Sequence, residues 1–253
     1  MNEWWLVYLA IGAVVGFLAG LLGIGGGAIM VPLLAWAYAA QGMPAERVVH
    51  LALGTSMATI FFTSASSMRA HHRHGAVDWS IVRAIAPGIL AGAFGAAMVA
   101  GALPTRPLAM IFTVLVYGAA TQIFFDLKPK TARALPGAAG LFSAGTAIGT
   151  ASSLFAAGGA FLTIPFLMWC SVPVRRAIGT AAAVGFPIAV AGSAGYLLQG
   201  HVHGPSLALI VVTSMSLAPL GARCAYRLPV RRLRMIFALM MFAMATRMLV
   251  SLW

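Results

Sequence analysis

Glycine interrupts two apolar stretches of this chain at points where no charged residue marks a loop. The first interruption, Gly23–Gly27, lies in a run without charge from Leu6 to Tyr38, and the second is Ala157–Ala160. In each, the second residue of a glycine pair, Gly26 or Gly159, precedes a proline by six residues. A helix that begins at such a break presents free backbone N–H groups and a positive dipole end, and glycine lets a ligand approach the backbone closely. This chemistry predicts anion binding by the backbone, and the candidate residues are Gly25, Gly26, Gly27, Ala28, Gly158, Gly159 and Ala160.

Hydroxyl side chains near the breaks form the second set of candidates. A Gly-Thr pair occurs in each half of the chain, and the predicted ligands are Thr55, Ser56 and Thr180. Their hydroxyl groups are expected to complete a shell around the anion, although Ser and Thr in helices also commonly bond back to a helix carbonyl. Weaker candidates of the same kind, just before the second break, are Thr150, Ser152 and Ser153.

The composition identifies the elements that position these residues as membrane helices. Of the 253 residues, 61% are hydrophobic and 8% are charged, and the mean hydropathy is +0.96. A soluble domain carries about 25% charged residues. We therefore predict an all-α polytopic membrane protein. Its ten apolar segments are expected at residues 4–22, 27–41, 48–68, 79–101, 107–126, 136–154, 159–171, 177–198, 205–225 and 235–252.

The chain contains an internal duplication. Residues 103–124 and 228–249 are identical at nine of twenty-two positions without a gap, and the glycine breaks and Gly-Thr pairs recur in the same order. This predicts two membrane repeats of about five helices, residues 1–127 and 135–253, joined by a basic cytoplasmic linker at residues 128–134. An odd number of segments in the first repeat inverts the second repeat in the membrane.

Basic residues in the joins indicate the orientation. The chain has 16 Lys and Arg against 4 Asp and Glu, and most of the basic residues fall on one side if both termini lie outside. The positive-inside rule makes that side cytoplasmic. The predicted inner joins carry Arg69, Arg73, Lys128, Lys130, Arg133, Arg175, Arg176, Arg223, Arg227, Arg231, Arg232 and Arg234. The excess predicts contact with anionic lipids at that face and not with nucleic acid; a homo-oligomer is left open.

Neither glycine break carries the polar side chains that suit the headgroup layer. Irregular backbone at membrane depth is tolerated only where it is buried in protein or lines a cavity. We therefore predict two helical hairpins whose tips meet near the middle of the membrane. The alternative is that the glycines only allow close helix packing, as small residues commonly do in membranes.

The other polar side chains predict little chemistry. His50 and Arg247 are expected near the outer face, the first as an interfacial histidine and the second as an arginine that reaches the surface from its helix end. The tract from Arg69 to His74 predicts a basic loop on the inner surface rather than a metal site. All four acidic residues lie at segment ends. No arrangement for hydrolysis or nucleotide binding is visible, so no enzyme activity, cofactor or metal is predicted.

One motif resembles a known family. It reads Gly16-x3-Gly20-x2-Gly23-Ile24-Gly25-Gly26-Gly27-x4-Pro32, followed by Ala52-x-Gly54-Thr55-Ser56 and a degenerate second copy. The motif is similar to that of the sulfite exporter TauE/SafE family, also called the toluene sulfonate uptake permease family, and the resemblance covers the whole chain. It implies a multi-pass transporter of the bacterial inner membrane for sulfur-containing or organic anions such as sulfite, sulfonates or sulfoacetate. The second copy lacks the third glycine and the serine, so the two hairpins are expected to contribute unequally.

The expected function is therefore secondary transport or facilitated movement of a small anion by alternating access of two inverted repeats. The predicted partners are the anion and the lipid bilayer. The alternative is a membrane subunit that transports nothing and serves as a scaffold or accessory for a partner enzyme.

Overall fold

The computed structural model of the chain describes residues 4–22, 26–125, 134–156, 158–225 and 230–250, and the secondary structure within them is helical. The helices are α1 (Trp4–Leu22), α2 (Gly27–Ala40), α3 (Ala45–Arg73), α4 (Trp79–Ala102), α5 (Thr105–Phe124), α6 (Ala138–Phe155), α7 (Ala160–Trp169), α8 (Val174–Leu198), α9 (Gly204–Ala225) and α10 (Val230–Val250). The predicted all-α class is confirmed, with each predicted segment matched by one helix. The predicted linker, residues 128–134, lies almost wholly outside the described residues, and the repeat bounds stay a prediction.

One difference in helix bounds concerns the predicted basic loop. His71, His72 and Arg73 form the last turn of α3, and His74 is its C-cap. The loop prediction is therefore wrong for this tract. Basic side chains in the last turn of a helix interact favourably with the negative end of its dipole, which explains why the helix continues through them.

Helix lengths separate the membrane-crossing helices from the hairpin helices. Among the described residues, five helices are long and apolar enough to cross a membrane: α3, α4, α5, α6 and α8. By contrast, α2 has 14 residues and α7 has 10. At about 1.5 Å per residue these two helices reach only about 21 and 15 Å, short of the ~30 Å hydrocarbon core. Both have the length of helices that start inside a bundle.

The two halves of the chain pack against each other in a reciprocal way. The first helix of each half lies against the fourth helix of the other, so that α1 packs on α9 and α6 packs on α4. The matching pairs α3 with α8 and α5 with α10 also pack together. Glycine makes these approaches close, because a Cβ at Gly16 would overlap the Ser214 backbone and one at Gly149 would lie 2.5 Å from the Ile89 oxygen. For these glycines the packing interpretation is correct.

Two hydrogen bonds join the halves in the same reciprocal way. The Thr55 hydroxyl of α3 accepts a hydrogen bond from the backbone N–H of His203, at 3.0 Å, just before α9. The Thr180 hydroxyl of α8 accepts one from the backbone N–H of Asp78, at 2.9 Å, just before α4. Each Gly-Thr pair thus holds the chain of the opposite half where its fourth helix begins.

Asp78 also caps α4. Its carboxylate accepts hydrogen bonds from the Ser80 and Ile81 backbone N–H groups at 3.1 and 3.4 Å, and from the Ser80 hydroxyl at 2.5 Å. The side-chain bond from Ser80 is the largest cause that lowers the pKa of Asp78 below its usual value of 3.8. This acidic residue therefore serves as a helix N-cap at the end of a join.

Candidate functional site

The two hairpin tips present the starts of α2 and α7. Gly26 is the N-cap of α2 and Gly159 is the N-cap of α7, and no side chain caps either helix. The predicted starting points of both helices are confirmed. The remaining tip residues, 23–25 and 157, lie outside the described residues, and Gly25 among the predicted ligands is one of them.

The tips touch each other through their backbones. A Cβ at Gly27 would overlap the carbonyl oxygen of Ala156, the residue that ends the first arm of the second hairpin, and would lie 3.1 Å from the Ile60 Cδ1 atom. Gly159 has a φ of 56°, and a Cβ there would lie 2.6 Å from the Gly185 Cα atom of α8. Only glycine allows both this conformation and this approach. The tip contact itself leaves no room for a ligand.

The open space lies beside the tip contact. A cavity of about 350 Å³, which we call the tip cavity, is lined by Gly26 and Met30 of the first hairpin, Gly158 and Ala160 of the second, and Gly185 of α8. Three of the predicted backbone ligands thus border one cavity. Its volume falls within the ~300–1,000 Å³ range of small-molecule sites.

Hydroxyl groups of α3 supply the polar wall of the tip cavity. The lining hydroxyl side chains of this helix are Thr59, Thr63, Ser64, Ser66 and Ser67, and the cavity continues along α3 to Ala70 and His71. Thr59 donates to the Thr55 carbonyl at 2.9 Å, and Thr63 and Ser64 donate to α3 carbonyls at 3.2 Å. A hydroxyl rotates to suit its partner, so each group can exchange this bond for one to a ligand.

Buried hydroxyl groups without partners surround the tips. Those with no hydrogen-bond partner among the described residues are Ser56, Ser152, Ser153 and Thr163. Ser152 and Ser153 lie in the last turn of α6, and Thr163 lies in the first turn of α7. Ser56 lies one turn before Ile60 on the same face of α3. An unmade hydrogen bond of a buried group costs about 1–3 kcal/mol. None of the four lines the tip cavity in this conformation, so a ligand in the cavity reaches them only after the tips move.

The structure does not bring Thr55 and Thr180 to the tip cavity. Both side chains are fully buried and accept hydrogen bonds from the opposite half. Thr55 also accepts from the Tyr38 hydroxyl at 3.2 Å, and the same Tyr38 oxygen lies 2.6 Å from the Ser206 hydroxyl. This buried network lies further towards the start of α3 than the tips.

The electrostatics of the tip cavity suit a weakly held anion. Among the described residues that line it there is no Asp, Glu, Lys or Arg, and His71 is the one titratable side chain. Positive potential comes from the starts of α2 and α7, each worth about 0.3–1 kcal/mol and up to ~2 in partly buried geometry. Sequence reasoning missed the α3 hydroxyls. Their spacing, with Thr59, Thr63 and Ser67 four residues apart, was the signal that could have revealed them.

Two short helices that begin inside a bundle, beside a cavity with one hydroxyl-lined wall and no acidic side chain among its described residues, are features of helical membrane transport proteins. The helices that are long and apolar enough to span a membrane make this an integral membrane protein. The chain belongs to the sulfite exporter TauE/SafE family, whose family model matches residues 8–248.

Relatives of this chain carry transporter names. It is 33% identical over 257 residues to a probable membrane transporter protein of Haemophilus influenzae, a match that covers 96% of this chain and 97% of the relative. It is 28% identical to the probable membrane transporter protein YdhB of Bacillus subtilis, over 85% of this chain and 87% of the relative. A probable membrane transporter protein of Methanocaldococcus jannaschii is 24% identical over 95% of this chain and 94% of its own length. No solved structure matches the chain.

Proposed function

We propose that this membrane transporter moves a small sulfur-containing or organic anion, such as sulfite, a sulfonate or sulfoacetate, across the bacterial inner membrane. The observation that carries the proposal is the tip cavity, in which two hairpin tips with uncapped helix starts and the hydroxyl groups of α3 border one space. These groups are hydrogen-bond donors without a fixed charge. They suit an anion that must bind and also leave, because the described residues that line the tip cavity include no arginine or lysine to hold it tightly.

The proposed mechanism is alternating access of two inverted repeats. In the present conformation the tip cavity follows α3 to the exposed Ala70 near the end of that helix. Towards the start of α3 the path is closed by the Tyr38, Thr55 and Ser206 network and by Gly54, where a Cβ would overlap the His201 carbonyl. With the predicted topology this state opens to the cytoplasm. Transport then requires the Thr55 contact and the Tyr38 network to break, so that the path opens towards the start of α3.

Flux into proteoliposomes tests the proposal. The purified protein is reconstituted, and uptake of labelled sulfite and labelled sulfoacetate is compared with that of protein-free liposomes. A matched pair of variants links flux to the site: Thr163→Val removes an unpartnered tip hydroxyl, whereas Thr113→Val removes a buried hydroxyl of α5 that bonds back to the Ala109 carbonyl at 2.7 Å. We expect Thr163→Val to reduce flux several-fold and Thr113→Val to leave it unchanged. Absence of protein-dependent flux for any sulfur oxyanion would return the protein to the scaffold class.

Cysteine labelling tests the inverted topology. With Cys170 and Cys224 replaced, single cysteines at Arg106 and His203 are expected to react with an impermeant maleimide from the periplasm. Single cysteines at Lys130 and Arg231 are expected to react only from the cytoplasm. Periplasmic labelling at Arg231 would contradict the inverted repeats.

A further inference from the structure

A second and larger cavity lies at the other end of α3. It has a volume of about 940 Å³ and is bounded by α2, the start of α3, the join between α4 and α5, and the end of α10. We call it the arginine cavity, because Arg106 and Arg247 line it together with Trp36, Glu46, His50 and His201. It shares no lining residue with the tip cavity among the described residues. The two cavities are therefore separate potential sites.

The charge of the arginine cavity is strongly asymmetric. Two guanidinium groups and two imidazole rings line it, and Glu46 is the one acidic side chain among its described lining residues. The Arg247 Cζ atom lies 5.4 Å from the centre of the Trp36 ring, so this cation is stacked on an aromatic face at the cavity wall. An arginine in an apolar helix is expensive in a membrane and is typically retained for function.

Two neighbouring histidines form part of the cavity wall. The His50 side chain is buried, with Nδ1 3.0 Å from the Glu46 carbonyl and Nε2 3.0 Å from the Leu103 carbonyl. The His201 ring lies 4.9 Å from the His50 ring, and its buried Nδ1 has no hydrogen-bond partner among the described residues.

We propose that the arginine cavity is a second anion-binding site, separate from the tip cavity, for an oxyanion of the sulfonate, sulfate or phosphate type with an apolar substituent. Arg106 and Arg247 pair with the oxyanion, since a guanidinium matches two of its oxygens at once. The substituent lies against the apolar wall that Trp36, Leu103 and Met248 provide. A soluble organic anion and the headgroup of an anionic phospholipid share this chemistry.

The fluorescence of Trp36 reports binding, because its ring lies against Arg247, one of the two arginines proposed to bind the oxyanion. Purified protein in a neutral detergent is titrated with 1-butanesulfonate, which does not absorb where tryptophan is excited, and binding is measured in parallel by calorimetry. We expect a saturable fluorescence change whose Kd agrees with the calorimetric value, and we expect this change to be lost in Trp36→Phe because the reporting indole is removed. Arg106→Gln and Arg247→Gln are each expected to weaken binding about ten- to a hundredfold, the cost of losing a charge-assisted hydrogen bond.

Two matched controls make the result specific. Arg47→Gln removes the same charge from an exposed residue at the same end of α3 that does not line the cavity. It is expected to raise the Kd much less than loss of either lining arginine, because the Arg47 guanidinium lies against the Gly200 carbonyl at 3.4 Å and does not pair with the bound oxyanion. Ser56→Ala, at the tips, is expected to leave the Trp36 fluorescence change unchanged. The experiment therefore distinguishes loss of binding at the tip cavity from loss of binding at the arginine cavity.

Changing the lipid shows whether the bound oxyanion is a soluble anion or a lipid headgroup. If the occupant is a lipid headgroup, nanodiscs of phosphatidylglycerol raise the apparent Kd for 1-butanesulfonate relative to nanodiscs of phosphatidylcholine. If the occupant is a soluble anion, the two values differ by no more than about threefold, the factor that the negative surface potential of the lipid causes. Either result supports the site. The proposal is overturned if no saturable Trp36 signal occurs, or if Arg106→Gln and Arg247→Gln leave the Kd as it is in Arg47→Gln.

Discussion

Replacing Ser56 by alanine is expected to stabilise the ligand-free protein while it weakens anion binding. The Ser56 hydroxyl is buried and has no hydrogen-bond partner among the described residues. Leaving a buried polar group unpaired costs about 1–3 kcal/mol, and its removal ends that cost. Allowing for lost contacts, we expect a gain of about 1 kcal/mol, which raises the Tm of a chain of this size by about 2–4 °C.

The same change is expected to reduce the effect of the anion. At an anion concentration of about 100 times Kd, ligand binding stabilises the wild-type protein by about 2.7 kcal/mol. Losing one hydrogen bond of about 1–3 kcal/mol raises the Kd about five- to a hundredfold. At the same concentration, the shift in Tm that sulfite or sulfoacetate produces therefore falls strongly in Ser56→Ala.

Thermal unfolding in detergent, with and without the anion, measures both effects. Thr113→Val is the control, because the Thr113 hydroxyl is buried but bonded within its own helix, away from the tips. This control is expected to keep the full anion-induced shift. If Ser56→Ala lowers the Tm of the free protein and keeps the shift, the hydroxyls at the tips are ordinary packing groups and the reasoning is wrong.

Three further predictions concern the contacts that hold the tips and the two halves. Thr55→Val and Thr180→Val each leave a backbone N–H without its acceptor, so each is expected to destabilise the protein by about 1–3 kcal/mol in thermal unfolding. If stability were unchanged and anion binding were lost, these hydroxyls would be ligands. Gly159→Ala places a Cβ against the α8 backbone at a positive φ and is expected to lower the Tm and yield, whereas Gly118→Ala, where a Cβ meets nothing within 4 Å, is expected to gain about 0.5–1 kcal/mol. Because its pKa is lowered, the Asp78 carboxylate stabilises the fold above pH 3.8, the usual pKa, and this contribution is lost as the pH falls below that value. Asparagine is an alternative N-cap without a charge, so Asp78→Asn is expected to flatten the decline of Tm in acid.

The sequence predicts the helices and the tips because both depend on local signals. Apolar runs of membrane length define the segments, and glycine in a run without charge marks Gly26 and Gly159 as helix starts. The cavity could not be predicted in the same way, since it depends on which helices meet. The hydroxyls of Thr59 and Ser67 line it only because α3 passes both tips.

The misplaced hydroxyls show the same limit. The recurrence of the Gly-Thr pair predicts that Thr55 and Thr180 are anion ligands, and the structure shows both as acceptors of a backbone hydrogen bond. The nature of that role depends on the opposite half of the chain, which supplies the His203 and Asp78 N–H groups. Ser152 and Ser153 are weaker candidates by sequence. They are nearer to the tips, because they lie in the last turn of α6, which ends at the second tip.

The exchange of helices between the halves has a consequence for biosynthesis. The Gly16 face of α1 is covered by the Ser214 region of α9, about 200 residues later in the chain. At about 5–20 residues per second, the ribosome needs roughly 10–40 s to deliver that partner after α1 has entered the membrane. During this interval the glycine face of α1 has lipid, an insertion factor or another nascent helix as its neighbour. A chain that stops after its first half never covers that face, so quality control in the membrane has a direct structural mark by which to recognise an unfinished molecule.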